Sequence, residues 1–401
     1  DVLVVGGPSL GSSAVDDGGR AWILRKDGDY YQQEAVLAAP DAAGDTQEQF
    51  GFSVAMDGTR VAIGRPGKDS GANEVAGAVH LFVDDGTGWV HEQELLPGSQ
   101  SQDYLKFGAS VALQPARIVV GMPGDAGLGF ESGAAAIFER SKVEWEESAI
   151  LRAMPGQAND RFGHAVSMSG DRIAVGAPSY GGLIPGSVYV FDEADGWQTE
   201  LPDVQVPTMF ADASIDPPTP VDGVAFGYEI AHDGDWAVAM GLPLDETQTG
   251  QVTFLQRING DWIPTDDELI GLSLVNAEAR LASVAMDQDW AVVGLARAGV
   301  VLLYERDADG AWELEQTFTC PSEDYYYEVD LDRAAQRVVV GCPADGVVYC
   351  YTRTRGGSAW DLATIDPALG SGSDFGRDVD LLGGIWLAVG APGQDAVQGR
   401  V

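Results

Sequence analysis

Closely spaced carboxylates are the strongest candidates for metal binding in this sequence. Acidic residues stand two apart in several short turns, as in Asp233-Gly234-Asp235 and Asp287-Gln288-Asp289. Calcium takes roughly six to eight oxygen ligands from a loop long enough to wrap the ion. Two carboxylates in a short turn do not supply that shell, so we interpret these stretches as turns with Asp and Gly in their usual places.

Two longer connections hold carboxylates that stay candidates for a weak divalent site. Asp69 with Glu74 forms one such pair, and Asp125 with Glu131 forms the other. No motif requires a cofactor, and calcium is the ion that such acidic loops would take.

Residues suited to nucleophilic or general acid–base catalysis show no clear clustering. The four histidines are scattered over different parts of the chain, which argues against a Ser-His-Asp set. The sequence also has no phosphate-binding loop, dinucleotide fingerprint or metalloprotease helix. We therefore predict that the protein is not an enzyme. The alternative is an enzyme acting on polysaccharide, because paired carboxylates arise easily among 62 acidic residues.

The charge of the chain excludes one class of partner. With 23 basic and 62 acidic residues the net charge is −39, a field that repels nucleic acid and anionic membranes. There is no apolar run long enough to span a membrane. Self-repulsion of this size is screened by salt. We expect a high-salt or divalent-rich environment, as for a halophilic or marine microbe, with simple solubility as the competing explanation.

Three cysteines allow at most one internal disulfide. They fall close together in the sequence, and we expect Cys342 to pair with either Cys320 or Cys350.

A sequence motif that recurs along the chain predicts the strands on which these residues lie. Each copy is an alternating apolar strand, a short polar turn, a second apolar strand and a Gly-x-Pro stop, as in FGFSVAMDGTRVAIGRPG at 50–67. A fixed period of this kind indicates a repeat architecture. Five clear copies and two altered ones begin at residues 50, 107, 162, 226, 280, 325 and 375.

Each repeat continues with a second pair of strands, here called C and D after the first pair A and B. Strand C follows a glycine such as Gly77, and strand D opens with a tryptophan such as Trp89 that we expect to pack against the neighbouring sheet. Four antiparallel strands repeated around an axis form a β-propeller blade. The sequence predicts an all-β, seven-bladed β-propeller over residues 1–401, closed by one blade that the N- and C-terminal segments share. The blade segments are 1–40 with 375–401, 50–100, 107–156, 162–220, 226–275, 280–321 and 325–368.

The pairs Phe50-Gly51 with Gly64-Arg65-Pro66, and Phe162-Gly163 with Gly176-Ala177-Pro178, resemble the FG-GAP repeats of integrin α-subunit propellers and of microbial FG-GAP proteins. The resemblance covers essentially the whole chain and implies an extracellular propeller engaged in adhesion or recognition. The calcium-binding A–B loops of the integrin family have no counterpart in the short turns of this chain.

The B–C and D–A connections are the elaborate ones, and binding residues concentrate on such loops. We expect them to bind a protein or a glycan, with a self-associating structural component of the cell surface as a further alternative. The longest connection is 206–224. The candidate ligand-binding residues are Met209, Phe210, Asp212, Phe130, Tyr180, Asp69 and Glu74.

Overall fold

The computed structural model contains β-strands and no α-helix in the part of the chain that it describes. The described residues are 19–27, 30–41, 48–69, 74–98, 102–154, 156–179, 186–193, 208–210, 213–215, 224–243, 251–259, 261–265, 280–296, 299–320, 328–343, 345–353, 357–365, 376 and 378–381. Among these residues, none forms a helix with the length and apolar character that crossing a membrane requires.

The strands assemble into six blades of four antiparallel strands and one two-stranded sheet. The two-stranded sheet is β1 (Ala21–Asp27) with β2 (Tyr30–Leu37). The strands of the first three blades are β3 (Val54–Asp57), β4 (Arg60–Arg65), β5 (Ala78–Asp84) and β6 (Trp89–Leu95); β7 (Ser110–Gln114), β8 (Arg117–Met122), β9 (Ala134–Arg140) and β10 (Trp145–Arg152); and β11 (Ala165–Ser169), β12 (Arg172–Ala177), β13 (Ser187–Asp192) and β15 (Ala213–Ile215). Strand β14 (Thr208–Phe210) joins the edge of the second blade. The strands of the other three blades are β16 (Val224–Asp233), β17 (Trp236–Pro243), β18 (Gln251–Ile258) and β19 (Asp261–Pro264); β20 (Arg280–Asp287), β21 (Trp290–Ala296), β22 (Val300–Arg306) and β23 (Trp312–Thr319); and β24 (Glu328–Asp332), β25 (Arg337–Cys342), β26 (Val347–Arg353) and β27 (Trp360–Ile365).

By its internal contacts the chain divides into two compact units. Unit 1 comprises Asp1–Ile63, Phe82–His91 and Asp267–Val401, and unit 2 comprises Gly64–Leu81 and Glu92–Asp266. Unit 1 holds the blades β20–β23 and β24–β27 and the sheet β1–β2, while unit 2 holds the three blades formed by β7 to β19. The prediction of a single domain stays a prediction.

The number of blades differs from the prediction, which was seven. Six four-stranded blades are present in the described residues, and the seventh was assigned to 1–40 with 375–401. Residues 1–18 and 382–401 lie outside the described residues. Of the segments predicted to form the shared blade, the structure describes strands β1 and β2 and the short stretch 378–381.

The connection 206–224 was predicted as one long loop, and this is wrong for two parts of it. β14 pairs in parallel with β10, and β15 is the fourth strand of the third blade through its pairing with β13. By the pattern of Trp89, strand D of this repeat would begin at Trp197, which lies outside the described residues. The local pattern failed because these strands are only three residues long and are stabilised by pairing with distant strands.

Glycine is required where strand C begins, because the next repeat passes against it. Gly77 and Gly133 form parallel bridges to Phe107 and Phe162, respectively. A Cβ atom on Gly77 would lie 2.2 Å from the backbone oxygen of Phe107, and φ at this residue is +88°. Both the space and the backbone conformation exclude other residues.

The tryptophans that open the outer strands pack as predicted. Trp360, at the start of β27, contacts Trp290 and Phe318 with ring-centroid separations of 5.6 and 4.9 Å. Both partners belong to the preceding blade of unit 1, so the indole seals one sheet against the next.

Candidate functional site

Two equivalent B–C loops lie in unit 2, at 68–77 and 125–133. Each forms the same backbone hydrogen bonds with the segment that precedes the next Phe-Gly pair. Tyr104 and Lys106 donate their backbone N–H groups to the carbonyls of Glu74 and Val75, at 2.7 and 3.1 Å. In the next repeat, Asn159 and Arg161 donate to Phe130 and Glu131, at 2.8 and 3.0 Å. The loop geometry is therefore a property of the repeat.

These segments are continuous with one another. Segment 102–107 contacts the 68–77 loop on one side, and on the other it accepts the Gly124 N–H at the Leu105 carbonyl, 3.1 Å away. Gln102 also donates to Asp125 over 3.1 Å. We call the surface formed by 68–77, 102–107, 124–133 and 154–161 the loop surface; residues 70–73 and 155 within it lie outside the described residues.

A buried ion pair anchors the 125–133 loop. Asp125 is 1% exposed and its carboxylate is paired with the guanidinium of Arg152, whose Nη2 lies 3.1 Å from Oδ2. The Gly127 N–H donates to Asp125 Oδ1 at 2.9 Å. The 68–77 loop is tied by a pair with the charges in the opposite order, Lys68 with Glu94.

Large apolar side chains stand exposed on the loop surface. Phe130 is 71% exposed, Met154 61%, Tyr104 56% and Leu128 42%. The backbones of Tyr104 and Phe130 are fixed by the hydrogen bonds above, so these two side chains are presented on a rigid support rather than on a mobile tip.

The acidic candidates Asp69 and Glu74 lie on the same surface, next to Tyr104. Asp69 accepts the Val75 N–H at 2.8 Å, and Glu74 accepts the Tyr104 hydroxyl at 3.0 Å. The Glu74 carboxylate raises the pKa of the Tyr104 hydroxyl, so the phenol stays protonated and donating. The Glu74 N–H in turn donates to Asp103 at 3.0 Å.

Asp125 and Glu131, the pair considered for a weak divalent site, have separate arginine partners. Asp125 is held by Arg152, and Glu131 by Arg161, whose Nε lies 2.7 Å from Oε2. A cation at either carboxylate would have to displace a guanidinium, and a metal site here stays a prediction.

The remaining predicted ligand-binding residues are less well placed. Tyr180 and Asp212 lie outside the described residues. Met209 and Phe210 are the last two residues of β14, in register with Leu151 and Arg152 of β10. Their backbone therefore adjoins the strand that carries the anchor of the 125–133 loop.

A serine–histidine contact joins the first strands of two successive blades in unit 2. Ser167 Oγ on β11 accepts the backbone N–H of His232 at 3.3 Å and lies 2.9 Å from the ring nitrogen Nδ1 of the same residue. Burial lowers the pKa of His232 to about 4, so the ring is neutral at pH 7. Since Ser167 already accepts the amide, its hydroxyl proton can be donated to Nδ1. The other ring nitrogen has no carboxylate partner among the described residues, so no Ser-His-Asp triad forms at this contact.

This contact is one of several side-chain bridges to first strands. In each of them a side-chain oxygen accepts a backbone N–H in, or directly after, a first strand. Gly234 donates to Ser169 at 3.2 Å, Val329 to Ser283 at 3.3 Å, and Val54 to Asp378 at 2.7 Å. These bridges satisfy amides at the outer edge of β3, β16 and β24, which pair with only one strand of their own blades.

Two of the bridging side chains in unit 1 are partly buried carboxylates. Asp380 accepts the Met56 N–H at 2.7 Å, and Asp330 accepts the Leu381 N–H. Burial raises the pKa of Asp380 to about 6, with Asp57 adding a smaller repulsion. Burial and the Asp380 charge raise the pKa of Asp330 as well.

Sequence reasoning missed both the serine–histidine contact and the aspartate pair. The two aspartates could have been noticed in the sequence. Asp330 and Asp380 occupy a position of the repeat that holds alanine in other copies, namely Ala55, Ala112 and Ala285. An acid where the repeat otherwise has a small residue marks a different environment. The contact between Ser167 and His232 left no comparable signal, because 65 residues separate them.

A family comparison matches this chain to the FG-GAP repeat over residues 31–82 and 145–191. A comparison of the sequence with curated proteins gives no match.

Solved structures share the fold at low sequence identity. A protein from Lactobacillus plantarum is 13% identical with a TM-score of 0.60, covering 97% of this chain and 99% of its own. A candidate 6-phosphogluconolactonase from Bacteroides uniformis is 11% identical with a TM-score of 0.58, covering 91% and 96%. The periplasmic gluconolactonase of Pseudomonas aeruginosa is 13% identical with a TM-score of 0.55, covering 91% and 99%.

These structures correct the prediction that the protein is not an enzyme. At such identities the likeness shows the fold alone, yet two of these propellers bear the names of lactonases, so the exclusion of enzymatic activity is withdrawn. The repeated Phe-Gly segments, the six four-stranded blades and the family match together identify the chain as an FG-GAP repeat β-propeller protein.

Proposed function

We propose that this protein is an extracellular or cell-surface recognition module that binds a cationic polypeptide through the loop surface. The observation that carries the proposal is the 71% exposure of Phe130 on a loop whose backbone is fixed by hydrogen bonds. Exposed apolar residues grouped on a rigid support are typical of interaction sites.

Charge favours a basic partner over other polypeptides. Asp69, Glu74 and Asp103 are exposed on the loop surface, and the whole chain carries −39. A positive segment would be attracted over a long distance and then held by contacts with the apolar side chains. A protein partner fits the earlier expectation of a protein or glycan ligand, and the glycan becomes an outcome of the test.

An array of short synthetic peptides, graded in Lys/Arg and aromatic content, tests this proposal alongside an array of uncharged oligosaccharides. The protein is expected to bind basic peptides with apolar side chains, and Phe130→Ala to weaken that binding about tenfold or more. Val143→Ala is the matched control, since Val143 is 90% exposed but lies in the turn at the other end of the β9–β10 hairpin.

Equal losses in the two variants, or no peptide binding at all, would refute the loop surface as the site. Binding to the uncharged oligosaccharides in place of the peptides would identify a glycan ligand and overturn the cationic partner.

A second candidate function is hydrolysis of a sugar lactone, favoured by the contact between Ser167 and His232. A hydroxyl 2.9 Å from a neutral imidazole has the geometry of a nucleophile with its base. Ser167 Oγ would attack the lactone carbonyl while His232 takes its proton; the ring C–O bond would then break, and its oxygen would take that proton from His232 to become a hydroxyl of the opened chain. Water would then hydrolyse the acyl-serine, releasing the sugar acid and restoring the Ser167 hydroxyl. The lactonase names among the fold relatives make glucono-lactone the substrate to try first.

Ser167→Ala should then abolish glucono-lactone hydrolysis above the spontaneous rate. Ser169→Ala should not, although Ser169 forms a similar bridge, to Asp233 and Gly234. Equal activity of Ser167→Ala and the unmodified protein would exclude Ser167 as the nucleophile.

We further infer that β1, β2 and the segment 378–381 belong to a seventh blade shared by the two ends of the chain. Gly19 before β1 bridges Phe50 as Gly77 bridges Phe107, and Asp378 and Asp380 bond to β3. Hydrogen exchange would test this: removal of residues 375–401 should abolish protection of the Val54 and Met56 amides. Unchanged protection would refute the shared blade.

A further inference from the structure

The three cysteines of unit 1 are all buried but do not share one environment. Cys320 is 4% exposed, Cys342 0% and Cys350 3%. Cys320 and Cys342 belong to one core cluster, with Phe318, Tyr349 and Tyr351. Cys350 belongs to a different cluster, together with Val339 and Val348.

The strand register explains why Cys350 is separated from Cys342. On the paired strands β25 and β26, Cys342 stands opposite Val347 and Cys350 opposite Val339. Successive side chains of a strand point to opposite faces of its sheet, and Cys350 is an odd number of residues from Val347. The two sulfurs therefore lie on opposite faces of the blade, which removes one of the two pairings left open by the sequence.

Cys320 and Cys342 are in direct contact. Their thiols share a hydrogen bond, and Cys320 Sγ also lies 3.9 Å from the Tyr351 hydroxyl. That hydroxyl donates to the Thr319 carbonyl at 3.2 Å, so its lone pairs are free to accept from the thiol. Cys320 directly follows β23 and Cys342 ends β25, so the two sulfurs come from successive blades of unit 1.

We propose that Cys320 and Cys342 form a redox-active pair, which closes to a disulfide between the two blades by exchange with a low-molecular-weight disulfide. The thiolate of one cysteine attacks a sulfur of the small disulfide, giving a mixed disulfide and releasing one thiolate. The second cysteine then attacks the protein sulfur of that mixed disulfide and releases the other thiolate. The two protein thiols are oxidised, the small disulfide is reduced to two thiols, and the two thiol protons pass to the released thiolates.

Both thiols are buried, so the exchange requires opening of the contact between the blades or occurs during folding. Once formed, the bond closes a loop between residues 320 and 342 and restricts the unfolded chain. The oxidised protein should therefore unfold at a higher temperature than the reduced protein.

Mass spectrometry tests the pairing. The protein is equilibrated with oxidised glutathione, denatured in acid and alkylated, and the number of alkylated cysteines is then read from its mass. One alkylated cysteine is expected, compared with three after equilibration with a reductant. Trypsin leaves Cys342 and Cys350 on one peptide, but cleavage before Asp345 separates them, so the bridge can be assigned. Three alkylated cysteines, a stable glutathione adduct or a bridge to Cys350 would each overturn the proposal.

Thermal unfolding provides a second readout that does not depend on peptide mapping. Oxidation should raise the melting temperature by about 4 °C, from the loop-closure and size relations for a chain of this length. Cys350→Ser should keep this difference and Cys342→Ser should lose it. Because the comparison is between oxidised and reduced forms of the same variant, any general destabilisation by the substitution cancels. A difference that survives in Cys342→Ser would contradict the pairing.

Discussion

Arg152→Met is expected to lower the free energy of unfolding by about 3–5 kcal/mol at pH 7, because it leaves the Asp125 carboxylate buried without its cation. Asp125 is 1% exposed and Arg152 is 5% exposed, so water cannot replace the lost partner. Methionine keeps most of the apolar stem of arginine, which limits the loss of packing. Urea-induced unfolding measures the change.

Two further variants separate the charge from the packing. Arg161→Met breaks the second ion pair of the same loop, with Glu131, in a partly exposed setting, where the arginine and glutamate side chains are 32% and 21% exposed. It should cost no more than about 1 kcal/mol. The double variant with Asp125→Asn added to Arg152→Met should recover at least half of the loss, since no charge is then buried alone. Absence of recovery would show that the effect comes from packing of the stem.

Asp380→Asn is expected to raise the free energy of unfolding by about 2–3 kcal/mol at pH 8 and to change it little at pH 4. The asparagine side chain can still accept the Met56 N–H but carries no charge into the buried site. The repulsion of Asp330 by Asp380 is relieved as well.

The pH dependence expected for Asp380→Asn follows from how tightly the folded and unfolded states bind the Asp380 proton. The pKa of Asp380 is about 6 in the folded protein against 3.8 as its ordinary value, so the folded state holds the proton more tightly. Its contribution to stability is present at low pH and is lost as the pH rises from about 4 to about 6. Above that range the ionised carboxylate destabilises the fold by a constant amount.

Unfolding curves at several pH values, in roughly 1 M salt to screen the overall charge, measure this dependence. Asp361→Asn changes the net charge equally at an exposed site on β27 and is the control. An equal gain in stability from Asp361→Asn would attribute the effect to net charge, and a loss of stability in Asp380→Asn would show that the carboxylate is favourably paired.

The repeat made the blade strands predictable because each one carries its own local signal. Val61-Ala62-Ile63 is apolar throughout and is fully buried, and Phe50, Phe107 and Phe162 are buried as their position in the repeat predicts. Gly77 was recognisable as the start of strand C, since no other residue fits there.

The candidate site was predictable only in part. Phe130, Asp69 and Glu74 could be assigned to the B–C loops in advance, because the length and composition of these loops can be read from the sequence. The partners Arg152 and Arg161 were not foreseen, since the pairing depends on how a loop folds back onto a strand of its own blade or onto the next repeat. Short strands such as β14 and β15 escaped for the same reason: pairing with distant segments, rather than composition, creates them.

The side-chain bridges to first strands bear on how such a chain can gain or lose a repeat. Ser283 accepts an amide N–H of β24 in the following blade, and Asp378 accepts an amide N–H of β3, so these two segments bring the acceptor that the neighbouring first strand needs. A duplicate of such a repeat, inserted in order, would arrive with its own donor and its own acceptor, and would leave neither neighbour with an unsatisfied amide. Growth by tandem duplication is thus compatible with these hydrogen bonds, whereas the exchange of a single strand is not.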